Sequence, residues 1–433
     1  MRRTILFITL LVYSVFCGDL IFAQVKTLEA YKRMAIENSA KTKNSALDIE
    51  AAQQQKKAAF TKYFPDINAS GMVFKANDPL INTGIPIPQI GLLPIELIDD
   101  GLIATITALQ PVFAGGQIIN SNKLAQLAID AAKLQNNLSI EAVLQKTEQC
   151  YWQIVSIKEH IKSINSIDTL LARIHVDVKL AVEVGVVSTN DLLNVELQQN
   201  ELASNQLKLN NLLILAKMEL AQHIGIPMDS ATSVDVLFFD QARAPITTYY
   251  INHEEALAYL SSYKLLEKSV EAAKTETRLK RGEYLPKVGV GYSYTSEDMI
   301  SKRANHGVVF ASVSIPLSGW WEGSHDIKRK KINERKVVHE KEYITGQLQL
   351  KMQQAWNSLV EAEQQISLAE SAVKQSAENL KINRDYYNAG TSQISDLLDA
   401  QSLHKNNLNR LINTQINYKL KLSEYLFATG RVA

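Results

Sequence analysis

Apolar positions along this chain follow two different periods. In 117–182 and 324–387 no glycine or proline interrupts the sequence except Gly346, and apolar residues return every three or four positions. Ile164, Ile167, Leu171, Ile174 and Val178 step by 3, 4, 3, 4, and Leu209, Leu213, Ala216 and Leu220 step by 4, 3, 4. That is the spacing of an antiparallel coiled-coil seam. Runs of about 65 residues predict helices about 100 Å long at 1.5 Å per residue. Gly185 and Gly390 end the two runs, and shorter helices return over 191–224 and 396–427. Two more helices are expected at 28–63 and 254–284, both rich in Ala, Lys and Gln.

Elsewhere the period falls to two. In 287–295, Val288, Val290, Tyr292 and Tyr294 alternate with Gly289, Gly291, Ser293 and Thr295. In 306–315, Val309, Ala311, Val313 and Ile315 alternate with Val308, Phe310, Ser312 and Ser314. An earlier pair, 66–74 and 102–110, alternates more weakly; its Ala104, Ile106 and Ala108 align with Val309, Ala311 and Val313. Segments of about ten residues with one apolar face are what a membrane-barrel strand requires. Two hairpins give four strands, too few to close a barrel, and lipid does not tolerate open edges. Three copies would supply twelve strands and one closed wall, so the strands predict a homotrimer in contact with lipid. Beyond the N-terminus no run of 18 apolar residues occurs, so a membrane crossing must use strands.

The two halves share one plan. Pro65 and Pro286 sit in KYFPDINASG and EYLPKVGVGYS, 221 positions apart, and Glu50-Ala51 and Glu271-Ala272 keep that offset. Pro111 and Pro316, Gly185 and Gly390, Asp191 and Asp396, and Gly225 and Gly430 are each 205 apart. The first half therefore carries a 16-residue insertion between Pro65 and Pro111. Within 78–101, Pro79, Pro86, Pro88 and Pro94 read as a loop at the far end of the first hairpin. The expected organisation is a signal peptide at 1–23 and a first repeat at 24–228, with β-hairpin 65–111 and tip 183–190. A linker at 229–252 follows, then a second repeat at 253–433, with β-hairpin 286–316 and tip 388–395. The fold class is mainly α with membrane β: long coiled-coil helical hairpins plus four strands per chain.

Composition narrows the chemistry. Gly (18) and Pro (10) are sparse in 433 residues, and the net charge of +1 suggests no nucleic-acid partner. Arg2 and Arg3 precede an apolar run over 5–16, and Ala23 offers a cleavage site, so the protein is exported. Bulky Phe16 before Cys17 argues against a lipid anchor there. The mature chain then keeps Cys150 alone and has no internal disulfide. The histidines lack ligand spacing, and neither a phosphate loop nor a catalytic constellation occurs, so no enzyme activity, metal or cofactor is expected. Tyr63, Phe64, Tyr284, Trp320 and Trp321 collect at the helix–strand joins of both halves. They read as an aromatic girdle at a membrane interface, with ordinary packing as the alternative.

Near the tips, Asp191 and Asp396 read equally as helix-start acids favoured by the dipole and as charges lining a lumen. Asp399 lies too far into its helix to cap it and is read as facing a lumen. The phrases TLEAYKRMAIENSA, KYFP and EYLP, QPVFAGGQ and IPLSGWWEG, GVVSTNDLL and GTSQISDLLDAQ occur in this order, duplicated at constant offsets. In that order they resemble the TolC family of outer-membrane efflux proteins over essentially all of the mature chain. The resemblance implies a trimeric twelve-stranded barrel in the outer membrane, continuous with a periplasmic α-helical tunnel. It implies an exit duct of tripartite efflux or type I secretion, served by a periplasmic adaptor (membrane fusion protein) and an inner-membrane pump. It further implies that Asp396 and Asp399 narrow the periplasmic mouth and that Asp191 and Tyr387 form a latch. Gly185, Val186, Ser188, Gly390 and Thr391 match the surface that meets the adaptor. The best-known member has an arginine two residues after the second glycine; Ser392 stands there in this chain, so that further latch is missing or replaced. On the residues alone, a non-conducting periplasmic coiled-coil adaptor also accounts for the hairpins, but not for the alternating strands.

Overall fold

A computed structural model describes residues 27–78, 80–87, 91–98, 100–227, 244–299 and 302–431. The expected signal peptide and most of the expected linker lie outside these residues. The first half runs α1 (Leu28–Asn38), α2 (Ala40–Thr61), β1 (Asp66–Lys75), β2 (Ile81–Ile87), β3 (Gly91–Leu97), β4 (Asp100–Ala114), α3 (Gln117–Glu183) and α4 (Thr189–His223). The second half runs α5 (Ser261–Glu283), β5 (Lys287–Met299), β6 (Lys302–Ser314), α6 (Gly319–Asn388) and α7 (Ile394–Ala428). The mainly helical chain with a four-stranded antiparallel sheet is as expected. Without proline to stop them, α3 and α6 reach 67 and 70 residues. The chain forms two units: Leu47–Gln135 with Lys264–Ile344, and the residues up to Ala46 with Asn136–Tyr263 and Thr345–Ala433.

The first of these units holds the sheet, in the order β1-β4-β5-β6. Its two hairpins obey the sequence offsets. Adding 221 to each β1 residue and 205 to each β4 residue turns one ladder into the other: Asp66↔Leu109 becomes Lys287↔Ser314, and Lys75↔Asp100 becomes Ser296↔Asn305. The insertion, expected as a loop, instead extends the first hairpin as an antiparallel ribbon, β2 with β3. In that ribbon Pro86 stands opposite Leu92 and Pro94 opposite Gly84. One face of the sheet carries Val73, Ile106, Tyr292, Tyr294, Val309 and Val313, all exposed; Val309 is 82% exposed. The other face carries hydroxyls across the β4·β5 joint, Thr105 Oγ1 to Thr295 Oγ1 at 3.1 Å and Thr107 Oγ1 to Ser293 Oγ at 3.1 Å. The adjoining helices repeat the strand order. Asn122 Nδ2 donates to Ala59 O (2.9 Å) between α3 and α2. Lys123–Glu271 (2.9 Å) and Lys268–Asp130 (3.3 Å) join α3 to α5. Lys280–Asp326 and Lys330–Glu276 (both 2.8 Å) join α5 to α6. Among the described residues the free edges are therefore β1 with α2 and β6 with α6.

The helix expected at 28–63 breaks at Ser39, whose φ/ψ of −58/132 leaves the helical region. Its counterpart breaks at Leu260 (φ −74, ψ 123), 221 residues on, just before α5. A left-handed glycine lies against each break. A Cβ on Gly225 (φ +71) would stand 2.8 Å from Asn38 O, and one on Gly430 (φ +69) 3.0 Å from Tyr259 Cβ. Both the backbone angle and the close approach call for glycine there.

The second unit is built from the helical hairpins. Ile164, Ile167, Leu171, Ile174 and Val178 are all buried, but they face Val195 and Leu202 together with Ile394, Leu397 and Leu398 of α7. The return stretch pairs differently: Ala216 and Leu220 pack with Val143, Ile154 and Val155, and only Leu209 reaches both clusters. The seam therefore buries its apolar stripe against the second hairpin as well as its own return helix. Away from the tips, Trp356 packs on Tyr250 and Tyr425 at ring-centroid distances of 5.0 and 5.1 Å. α1 is fixed to α3 by Lys32 Nζ, 2.7 Å from Glu148 Oε1 and 3.1 Å from Glu29 Oε1.

Candidate functional site: the helix tips

Both tips are built from the same bonds, 205 residues apart. At the first, the Val186 N–H donates to Ala181 O (2.8 Å) and the Gly185 N–H to Val182 O (3.0 Å). At the second, the Thr391 N–H donates to Tyr386 O (3.0 Å) and the Gly390 N–H to Tyr387 O (2.9 Å). This closure satisfies the last carbonyls of α3 and α6 and needs a left-handed residue, met by Gly185 (φ +70) and Gly390 (φ +71). A Cβ at either glycine meets nothing within 4 Å, so a substitution there costs backbone strain alone. Gly390→Val is expected to weaken the tip by about 1–2 kcal/mol, which speeds hydrogen exchange at the Thr391 amide roughly 5- to 30-fold. Gly390→Asn, whose side chain tolerates that angle better, should fall in between. Equal exchange in all three proteins would show that the closure does not hold the tip.

The return helices begin on the acids. Ser188 is the N-cap of α4: its N–H donates to Asp191 Oδ2 (3.0 Å), and the Asp191 N–H donates to Ser188 Oγ (3.3 Å). This reciprocal box makes Asp191 the third residue of the helix rather than its cap. At α7 the Gln393 N–H donates to Asp396 Oδ2 (3.3 Å). Below these boxes, Leu397 and Leu398 turn into the buried cluster, while Asp396 and Asp399, one turn apart, stay exposed. Asp399 has no hydrogen-bond or ion-pair partner among the described residues.

Asp191 and Tyr387 line one cleft between the two tips, with Asp177, Ser188, Ser392 and Gln393. Among the described residues no hydrogen bond joins Asp191 to Tyr387. Burial, and then the charges of Asp191 and Asp177, push the Tyr387 phenol above its ordinary pKa, so its hydroxyl keeps its proton beside two carboxylates. Ser392 Oγ is buried without a hydrogen-bond partner among the described residues. Asp177 was not singled out in the sequence because it sits mid-helix beside Val178, with no glycine or repeated spacing to mark it. Val186, Ser188 and Thr391 are exposed together with the two glycines, leaving the rim of both tips open.

The aromatics at the helix–strand joins are held by local bonds. The Phe60 ring lies 5.5 Å from Tyr63 and 5.7 Å from Phe64. The Tyr284 hydroxyl donates to Asp326 Oδ2 (2.7 Å), and Trp320 Nε1–H donates to Tyr284 O (2.9 Å). Trp321 is the most exposed of the group.

Residues 255–430 match the family described as outer membrane efflux protein. The fold is that of the outer membrane protein VceC from Vibrio cholerae, with a TM-score of 0.77 at 14% identity over 93% of this chain and 96% of that one. It is equally that of the outer-membrane channel OprN, with a TM-score of 0.78 at 12% identity over 94% of this chain and 90% of that one. The Campylobacter jejuni CmeC outer membrane channel gives 0.78 at 13% identity over 93% of this chain and 85% of that one. Nothing matches among curated proteins. At such identities the structural likeness concerns the fold.

Proposed function

We propose that this chain, an outer membrane efflux protein by the match of residues 255–430 and channel-like in fold, is the exit duct of a tripartite efflux or type I secretion system. In this reading three copies close a twelve-stranded barrel in the outer membrane, and the helical hairpins form the periplasmic part of the duct. A periplasmic adaptor and an inner-membrane pump deliver the substrate, which passes without chemistry; the family is one of channels rather than enzymes.

One observation carries the reading: a four-stranded sheet with both edges free and an apolar face exposed. Unpaired strand edges and a bare apolar face are each unfavourable in water. Lipid against the face and further copies at the edges remove both problems at once. The hydroxyls of Thr105, Thr107, Ser293 and Thr295 then face a water-filled interior. Tyr63, Phe64, Tyr284, Trp320 and Trp321 take the periplasmic interface of the membrane. The open rims at Gly185, Val186, Ser188, Gly390 and Thr391 receive the adaptor. Asp396 and Asp399 ring the mouth, and separation of Asp191 from Tyr387 accompanies its opening. A soluble periplasmic adaptor would leave the exposed face of the sheet without a role.

Fractionation tests this. The full-length protein expressed in a Gram-negative host should sediment with the outer membrane and run as a trimer until boiled in detergent. A monomer that stays soluble without detergent would overturn the proposal.

A further inference from the structure

We infer that the joint between copies repeats the joint inside each copy, and that Lys328 of one copy pairs with Glu50 of the next. The inference rests on the trimeric reading above and adds its register. The offsets of 221 and 205 already convert the β1·β4 ladder into the β5·β6 ladder. Applied to the remaining internal joint, β4·β5, they lead out of the chain. Adding 205 carries β4 onto β6, and subtracting 221 carries β5 onto β1 of a second copy. Ile106↔Tyr294 becomes Ala311↔Val73, and Ala108↔Tyr292 becomes Val313↔Gly71.

This register keeps the apolar face continuous. Val309 and Val313 on one side and Val73 on the other are large exposed apolar residues at the free edges. A slip of one residue would set Val73 against Ser312 or Phe310 and turn one strand's apolar side to the hydroxyl face.

The helices give the same answer by charge. Inside the chain, Lys123 of α3 meets Glu271 of α5 at 2.9 Å. The offsets turn this pair into Lys328 on α6 and Glu50 on α2, with both signs kept. Both residues are exposed and have no ion-pair partner among the described residues. Nearby, α6 also exposes Lys331 and Arg335, and α2 exposes Asp48. The second internal pair, Asp130–Lys268 (3.3 Å), becomes Arg335 and Leu47, so its charges are not repeated at the outer joint. A second copy of this chain is thus the occupant of both edges.

Cysteine pairs in the full-length protein carrying Cys150→Ser test the register in isolated outer membranes under mild oxidation. Directly opposed strand residues have Cβ atoms about 5 Å apart, and diagonal ones about 7–8 Å. Ala311→Cys with Val73→Cys should form covalent dimers and trimers at least tenfold faster than Ala311→Cys with Gly71→Cys. Ile106→Cys with Tyr294→Cys, the internal equivalent, should close within single chains. Lys328→Glu and Glu50→Lys should each lower the temperature at which the trimer dissociates in detergent, and the two together should recover at least half of the loss. A native-mobility trimer in which the Gly71 pair links faster, or neither pair links, would overturn the register and leave the exit-duct reading standing. A trimer in which the double reversal recovers nothing would overturn the ion pair. A wild-type protein with no trimer at all would overturn both the inference and the reading it rests on.

Discussion

Glu148→Leu is expected to free α1 from α3, raising hydrogen exchange of the α1 amides by 100-fold or more. The Lys32 and Glu148 side chains are 9% and 10% exposed, and their charges meet at 2.7 Å. Burying two charges is costly, so the intact pair is not a large net source of stability; what is severe is an unpartnered buried charge. Removing the carboxylate leaves the ammonium with Glu29 alone, itself largely in solvent. Breaking such a pair costs about 3–5 kcal/mol, whereas replacing both members with apolar groups is often near neutral. Lys32→Met with Glu148→Leu should therefore exchange far more slowly than Glu148→Leu alone. The pH dependence has a definite sign. Burial lowers the Lys32 pKa, but Glu148 and Glu29 outweigh it and the net shift is upward. The docking contribution is then full below the ordinary lysine pKa of about 10.4 and is lost as pH rises through the higher folded value. Protection of α1 that is unchanged in Glu148→Leu, or that fails below pH 9 in the wild type, would contradict this account.

Much of the fold was legible because glycine and proline mark it twice. Gly185 and Gly390 end the long helices, and Pro65 and Pro286 precede the sheet, at offsets the strand ladders preserve. The features that were hidden depend on tertiary approach. Nothing in the local sequence around Ser39 or Leu260 stops a helix as proline would; the breaks lie where Gly225 and Gly430 press against the chain. The heptad stripe at 164–178 was visible, but its sharing with Ile394, Leu397 and Leu398 was not, since periodicity names a buried face and not its partner. Lys32 and Glu148 look like ordinary surface charges until α1 is laid on α3. At the tips, spacing located Asp191 and Asp396 but could not separate helix-start acid from lumen charge. The bonds to Ser188 and Gln393 show that each begins its helix. That role leaves the rest of each carboxylate free for a second one.

Asp396→Asn with Asp399→Asn is the substitution expected to change conduction most. Both carboxylates are exposed on the side of α7 away from buried Leu397 and Leu398, so neither is consumed by packing. In the proposed trimer they would bring six negative charges to one constriction. Such a ring draws cations into the mouth and holds multivalent ones there, because their attraction scales with charge and the narrow site excludes screening solvent. Block by a trivalent complex such as hexamminecobalt, added on the tip side of a planar bilayer, should weaken on the order of 100-fold in the double variant. Asparagine is chosen because its side-chain oxygen can still accept from the Gln393 N–H, as Asp396 does at 3.3 Å. The helix start is then preserved while the charge is removed, which separates the two roles of Asp396. Asp399→Asn alone should show a substantial part of the effect, since Asp399 takes no part in the cap. Raised ionic strength should relieve block in the wild type and change little in the double variant. Undiminished trivalent block in the double variant would remove these carboxylates from the constriction and place the cation site elsewhere along the duct.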